Sequence, residues 1–140
     1  MSRLFFDTSS LVKLYHAEPD SVQLRQQVRP NDELIVSNLT KVEMHAAFGR
    51  KIRRGELTQQ AADAELLLFQ RDWPEFTPID LDAACLDATA KLVQRHHGLA
   101  LRSLDAIQLA AALVVGPLNA FFTHDERLRQ AALAEGPPVR

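Results

Sequence analysis

The stretch Arg3-Leu4-Phe5-Phe6-Asp7-Thr8-Ser9-Ser10-Leu11-Val12-Lys13-Leu14-Tyr15 sets the reading of the whole chain. Leu4 to Phe6 is an apolar run with no polar alternation, which is how a strand reads when both of its faces are buried. It stops at an acid, Asp7. Ser9 or Ser10 is then expected to cap a short helix carrying Leu11, Val12, Leu14 and Tyr15, because a hydroxyl can accept from an N–H of the first turn.

The same alternation continues outward. Pro19 and Asp20 open a second helix through Val28, closed by the turn Pro30-Asn31-Asp32. Glu33 to Ser37 reads as a second strand. Ser37 or Asn38 caps a long helix to about Arg54, with Gly55 as its stop. Thr58 caps another helix through Trp73, ended by Pro74. Phe76 to Ile79 is a weak third strand. Asp80 or Asp82 starts a helix through His96, and Ser103 caps an alanine-rich helix to Val115. Ala120 to Thr123 is a last strand and Glu126 to Ala134 a last helix. Short apolar strands alternating with helices predict an α/β fold: a mostly parallel, short-stranded sheet in a three-layer sandwich. Residues 1–140 fit one domain.

Composition narrows the function classes. Cys85 is the only cysteine, so no disulfide forms within the chain, and a buried inert thiol is expected. The N-terminal apolar run is interrupted by Asp7, and no stretch approaches the ~20 apolar residues of a membrane helix. A cytoplasmic protein with no membrane role is expected. The net charge of −2 argues mildly against a nucleic-acid binder. Arg50, Lys51, Arg53 and Arg54 nevertheless form a basic patch. It reads either as a solvated helix end favoured by the helix dipole or as a contact for RNA or a protein partner.

Four acids stand in unusual places. Ligands of parallel sheets bind beyond the carboxyl ends of the strands, where Asp7 and Asp125 are expected. Each also has a plain reading as a helix cap. Glu43 falls on an apolar stripe of Leu39, Val42, Ala46 and Ala47, where a carboxylate costs several kcal/mol unless paired or metal-bound. A stripe-edge glutamate reaching solvent is the plain alternative. Asp105 lies in the first turn of the alanine-rich helix, where the dipole favours an acid. That helix is apolar apart from Gln108, which places Asp105 at the mouth of a buried element. There is no Gly-rich phosphate loop and no Cys/His set with zinc spacing. His16 and His45 stand alone, His96-His97 suits a helix end, and His124 is expected beside the site. Four carboxylates at one sheet edge repel each other unless a hard divalent cation joins them, and Mg2+ or Mn2+ suits an all-oxygen set. Such an ion serves phosphodiester hydrolysis.

Four segments carry a family resemblance: Phe6 to Tyr15, Ser37 to Glu43, Leu101 to Ala110 and Phe121 to Leu128. Together, in this order, they resemble the PIN-domain ribonucleases, specifically the VapC-like toxins of toxin–antitoxin pairs. The resemblance implies a single PIN domain, a parallel sheet flanked by helices, and acids meeting at one edge. It matches Asp7, Glu43 and Asp105 to the core metal-binding acids and Asp125 to a fourth, more variable one. It gives Ser9, Thr123 and Arg102 supporting roles. It implies a metal-dependent endoribonuclease acting on single-stranded or loop RNA, a homodimer, and silencing by a cognate antitoxin. Three other classes stay open: a catalytically silent binding module on the same fold, a receiver-like signalling domain, and a DNA-directed structure nuclease on the same fold. The second would need adjacent acids after the first strand, where Asp7 is single.

Overall fold

The computed structural model describes residues 1–140. Four strands, β1 (Arg3–Phe6), β2 (Glu33–Ser37), β3 (Thr77–Ile79) and β4 (Ala120–Phe122), form one sheet in the order β3-β2-β1-β4. Every pairing is parallel, with Phe5 opposite Ile35 on one side and Phe121 on the other. The helices are α1 (Thr8–Tyr15), α2 (Ser21–Gln26), α3 (Leu39–Arg53), α4 (Gln59–Asp72), α5 (Ala83–Arg95), α6 (Ser103–Val114) and α7 (Glu126–Glu135).

Strand alternation divides the core into two layers. Leu4, Phe6, Val36 and Phe122 face α1 to α4 and pack with Leu11, Met44, Phe48 and Phe69. Phe5, Ile35 and Phe121 face the opposite side and pack with Leu92, Leu109 and Leu128. The β1 and β4 phenylalanines stack in pairs, Phe5 on Phe121 and Phe6 on Phe122, with centroids 5.4 Å and 4.8 Å apart. Buried apolar runs therefore feed both helical layers, and the expected three-layer α/β sandwich is the observed fold. No helix is long and apolar enough to cross a membrane. Cys85 is buried, and burial pushes its thiol pKa up.

Several local expectations change. Neither Ser9 nor Ser10 caps α1: Asp7 does, its carboxylate accepting from Ser10 N at 2.9 Å. Ser103 is the first residue of α6 rather than its cap, and Arg102 in the cap position makes no side-chain capping bond. The stripe expected on α3 is rotated. Thr40, Met44, Ala47 and Phe48 are buried, whereas Val42 is 67% exposed and Glu43 lies half-buried beside them. Met44 and Phe48 bury more apolar surface than Val42 and Ala46 would, which decides the rotation. His16 does not stand alone, because its Nδ1 lies 3.0 Å from Glu65 on α4. His96 is buried and meets Glu135 at 3.3 Å.

Candidate active site

The chain leaves β1 toward β2 on one side of the sheet and reaches β4 on the other, so the connections diverge between β1 and β4. Open parallel sheets bind ligands at the carboxyl ends of such a pair. Asp7 follows β1 there, and its N–H donates to the Phe122 carbonyl of β4 at 3.1 Å. Beside it opens a polar cavity of about 370 Å³, lined by Asp7, Glu43, Asp105 and Asp125 together. The four acids come from four separate segments: the β1 end, α3, α6 and the β4–α7 junction.

Asp7 is held by three neighbours. Thr123 Oγ1 donates to Oδ2 at 2.6 Å, Ser10 N to Oδ1 at 2.9 Å, and Ser9 Oγ lies 2.8 and 2.9 Å from the two oxygens. Ser9 Oγ also accepts from His124 N, and Thr123 Oγ1 from Asp125 N, so each hydroxyl proton is directed at Asp7. Burial pushes the Asp7 pKa up to about 6, against the lowering effect of the Thr123, Ser9 and Ser10 hydrogen bonds; the Asp125 charge adds a small upward push. Three donated protons leave one of the carboxylate's four lone-pair directions unspent.

Glu43 accepts from Thr8 Oγ1 at 2.9 Å and from Gln108 Nε2 at 2.7 Å. From Ala106 to the end of α6, Gln108 is the one polar side chain, and it is buried. Its Nε2 lies 3.0 Å from Thr40 as well. Asp125 uses Oδ1 to cap α7 through Leu128 N at 2.8 Å, while Oδ2 faces Arg102 at 3.4 Å. Asp105 faces the same guanidinium at 3.0 Å. The hydrogen bond and charge of Asp105 raise the Arg102 pKa further. Arg102 thus lies between two of the acids. No three acidic, His or Cys side chains close to metal-ligand spacing.

The basic patch divides. Arg50, Lys51 and Arg54 line the same cavity as the acids, and Arg53 does not. Lys51 is also ion-paired with Glu18. His124 lines the cavity with Nδ1 2.8 Å from Ser10 Oγ; burial, and then the Lys13 charge, lowers its pKa. Thr8, Thr40 and Gln108 were not anticipated as site residues. The lone polar Gln108 on an otherwise apolar helix was their one signal in the sequence.

The PIN domain family model matches residues 4–133. The chain belongs to the PIN-domain family. Ribonuclease VapC49 of Mycobacterium tuberculosis (strain ATCC 25618 / H37Rv) is 34% identical over 142 residues, covering 97% of this chain and 93% of that protein. The crystal structure of Mycobacterium tuberculosis VapC20, described as a sarcin-ricin loop cleaving toxin, superposes with a TM-score of 0.69. It is 19% identical and covers 96% of this chain and 99% of its own. The VapBC2 structure from Rickettsia felis, bound to a DNA fragment from its promoter, has a TM-score of 0.68 at 10% identity, over 99% of this chain and 97% of its own. This PIN domain is therefore VapC-like along nearly its whole length, and the receiver-like alternative falls.

Proposed function

We propose that this PIN domain is a divalent-metal-dependent endoribonuclease that cuts single-stranded or loop RNA, the toxin of a toxin–antitoxin pair in the cytoplasm. The convergence of Asp7, Glu43, Asp105 and Asp125 on one polar cavity carries the proposal. The donor set fits Mg2+ or Mn2+: the four acids offer only oxygen, and all four line one polar cavity. The ion would supply Lewis acidity toward a phosphodiester and a lowered pKa for its attacking water.

The chain's own residues provide the positions. Ser9 and Thr123 fix the Asp7 carboxylate, and Thr8 and Gln108 fix that of Glu43. Arg102 holds Asp105 and Asp125 in register, and its 63% exposed side chain can turn to a phosphate. Arg50, Lys51 and Arg54 offer cations to the RNA backbone. The loop-cleaving VapC20 supports the choice of RNA, and the VapBC2 complex supports a cognate antitoxin.

The deciding experiment is end-group analysis of cleaved RNA, with Mn2+ and with chelator. Water attacking phosphorus should leave 5′-phosphate and 3′-hydroxyl ends, and chelation should stop cleavage. Asp7→Asn should cut turnover by at least about 100-fold, more than is typical for loss of a residue that only orients a metal ligand. Metal-independent cleavage, or full activity in Asp7→Asn, would leave only a binding module.

A further inference from the structure

The cavity that the four acids line is also lined by basic side chains. Lys13, near the end of α1, and Lys51, near the end of α3, line it with Arg50 and Arg54. Glu18, from the α1–α2 loop, stands between the two lysines. Its Oε2 is 3.1 Å from Lys13 Nζ, and its Oε1 pairs with Lys51. Lys13 Nζ also donates to the Pro19 carbonyl at 3.1 Å. The loop that supplies Glu18 is itself braced. Ser21 Oγ accepts from Glu18 N at 2.9 Å and donates to the His16 carbonyl at 3.3 Å.

Free surface lysines carry large rotamer entropy. These two are only 12% and 16% exposed, so they are already immobilised. Burial pushes the Glu18 carboxyl pKa up, but Lys51 and Lys13 outweigh it and hold it below the usual carboxylate range. Glu18 stays ionised, and Glu18 and Glu56 together balance the two lysine ammoniums. Arg50 and Arg54 add charge and form no ion pair, while Glu56 lies 3.7 Å from Lys51. Lys13 has three protons and spends two, on Glu18 and Pro19. Lys13 therefore keeps one donor unspent on the cavity lining.

Fixed positive charge beside a carboxylate cluster suits a polyanion whose successive charges fall on both. We propose that Lys13 and Lys51, clamped by Glu18, form a phosphate subsite that seats a backbone phosphate next to the one cleaved and so sets where the RNA strand is cut. This deepens, and rests on, the ribonuclease reading. Glu18 is a positioning residue, and Lys13 and Lys51 make the contact.

The test uses the full chain and a short fluorescein-labelled single-stranded RNA of mixed sequence, bound in chelator across a salt series. Lys13→Gln and Lys51→Gln should each weaken binding and lower the slope of log affinity against log salt by about 0.7, the value for one lost phosphate contact on a single strand. Lys13→Arg should keep the slope, and Lys91→Gln on α5 should change nothing. Mn2+ affinity by calorimetry should match wild type in all of them.

In Mn2+, a single neutral methylphosphonate beside the scissile linkage should raise KM for the wild type with little change in kcat. In the lysine variants the same linkage should cost nothing further. Unchanged slopes with Mn2+ binding intact would overturn the subsite and leave the ribonuclease standing. If a lysine variant fails to fold, the wild-type methylphosphonate scan still decides: no sensitive position beside the cut overturns the subsite. A wild type that neither binds nor cuts RNA would overturn both readings.

Discussion

Asp7 is 2% exposed at the end of an apolar strand, and the cost of charging it there sets its energetics. Its folded pKa, about 6, lies above the ordinary 3.8, so in metal-free buffer the fold favours the protonated acid. The resulting stability is fully present below pH 3.8 and is lost as pH rises through about 6. A shift of this size corresponds to roughly 3 kcal/mol at neutral pH. Asp7→Asn escapes that cost but loses an acceptor for Thr123 or Ser9, so a net gain of about 1–2 kcal/mol is expected. Thermal melts in chelator should show Asp7→Asn above wild type at pH 7, with the gap closing between pH 6 and pH 4. An Asp7→Asn protein that is less stable at pH 7 and equally so at pH 4 would contradict this account. The same substitution that stabilises the metal-free fold should abolish turnover, because the strain belongs to the site.

At the scale of elements, Asp125 joins two functions that separate on mutation. One oxygen caps α7 and the other faces Arg102 across the cavity. Asparagine caps as well as aspartate, whereas alanine forfeits about 1 kcal/mol. Asp125→Asn should therefore melt within about 0.5 kcal/mol of wild type, a normal range for benign substitutions, and Asp125→Ala should melt lower. Both should lose cleavage to a similar degree if the carboxylate serves the ion. Equal stability of the two variants would show that the cap contributes little. Helix α3 shows the complementary case. Its turn toward Met44 and Phe48 leaves Glu43 at the edge of the buried stripe, where Thr8 and Gln108 reach it.

For the whole molecule, the open question is what covers α4. The run Leu66-Leu67-Leu68-Phe69 of α4 puts four large apolar residues in succession, more than one helix face can turn to a single core. Phe69 is in the core and Leu66 packs beside it, but Leu67 is 65% and Leu68 43% exposed. One subunit does not bury both faces, which is the pattern of a surface awaiting a partner. The homodimer that the family resemblance implies should appear by sedimentation at micromolar concentration. The double substitution Leu67→Glu and Leu68→Glu should shift it to monomer, and the melt should then no longer depend on protein concentration. A monomeric wild type would remove the dimer.

The sequence by itself determined the layered α/β fold and singled out the acids. Unbroken apolar strands such as Leu4-Phe5-Phe6 can only be covered on both faces, and Asp7 and Asp125 stand where the parallel strands finish. Caps and helix rotations were less legible, because several neighbouring hydroxyls and acids can cap the same turn, and propensity does not rank them. Asp7 displaced Ser9 and Ser10, and Met44 displaced Val42, when three-dimensional packing chose among near-equal local options. Only the tertiary structure brought Lys13, Glu18 and Lys51 to the cavity that Asp7 and Glu43 line. Lys13 and Glu18 are near neighbours in sequence, but Lys51 comes from α3, and no local periodicity encodes that meeting.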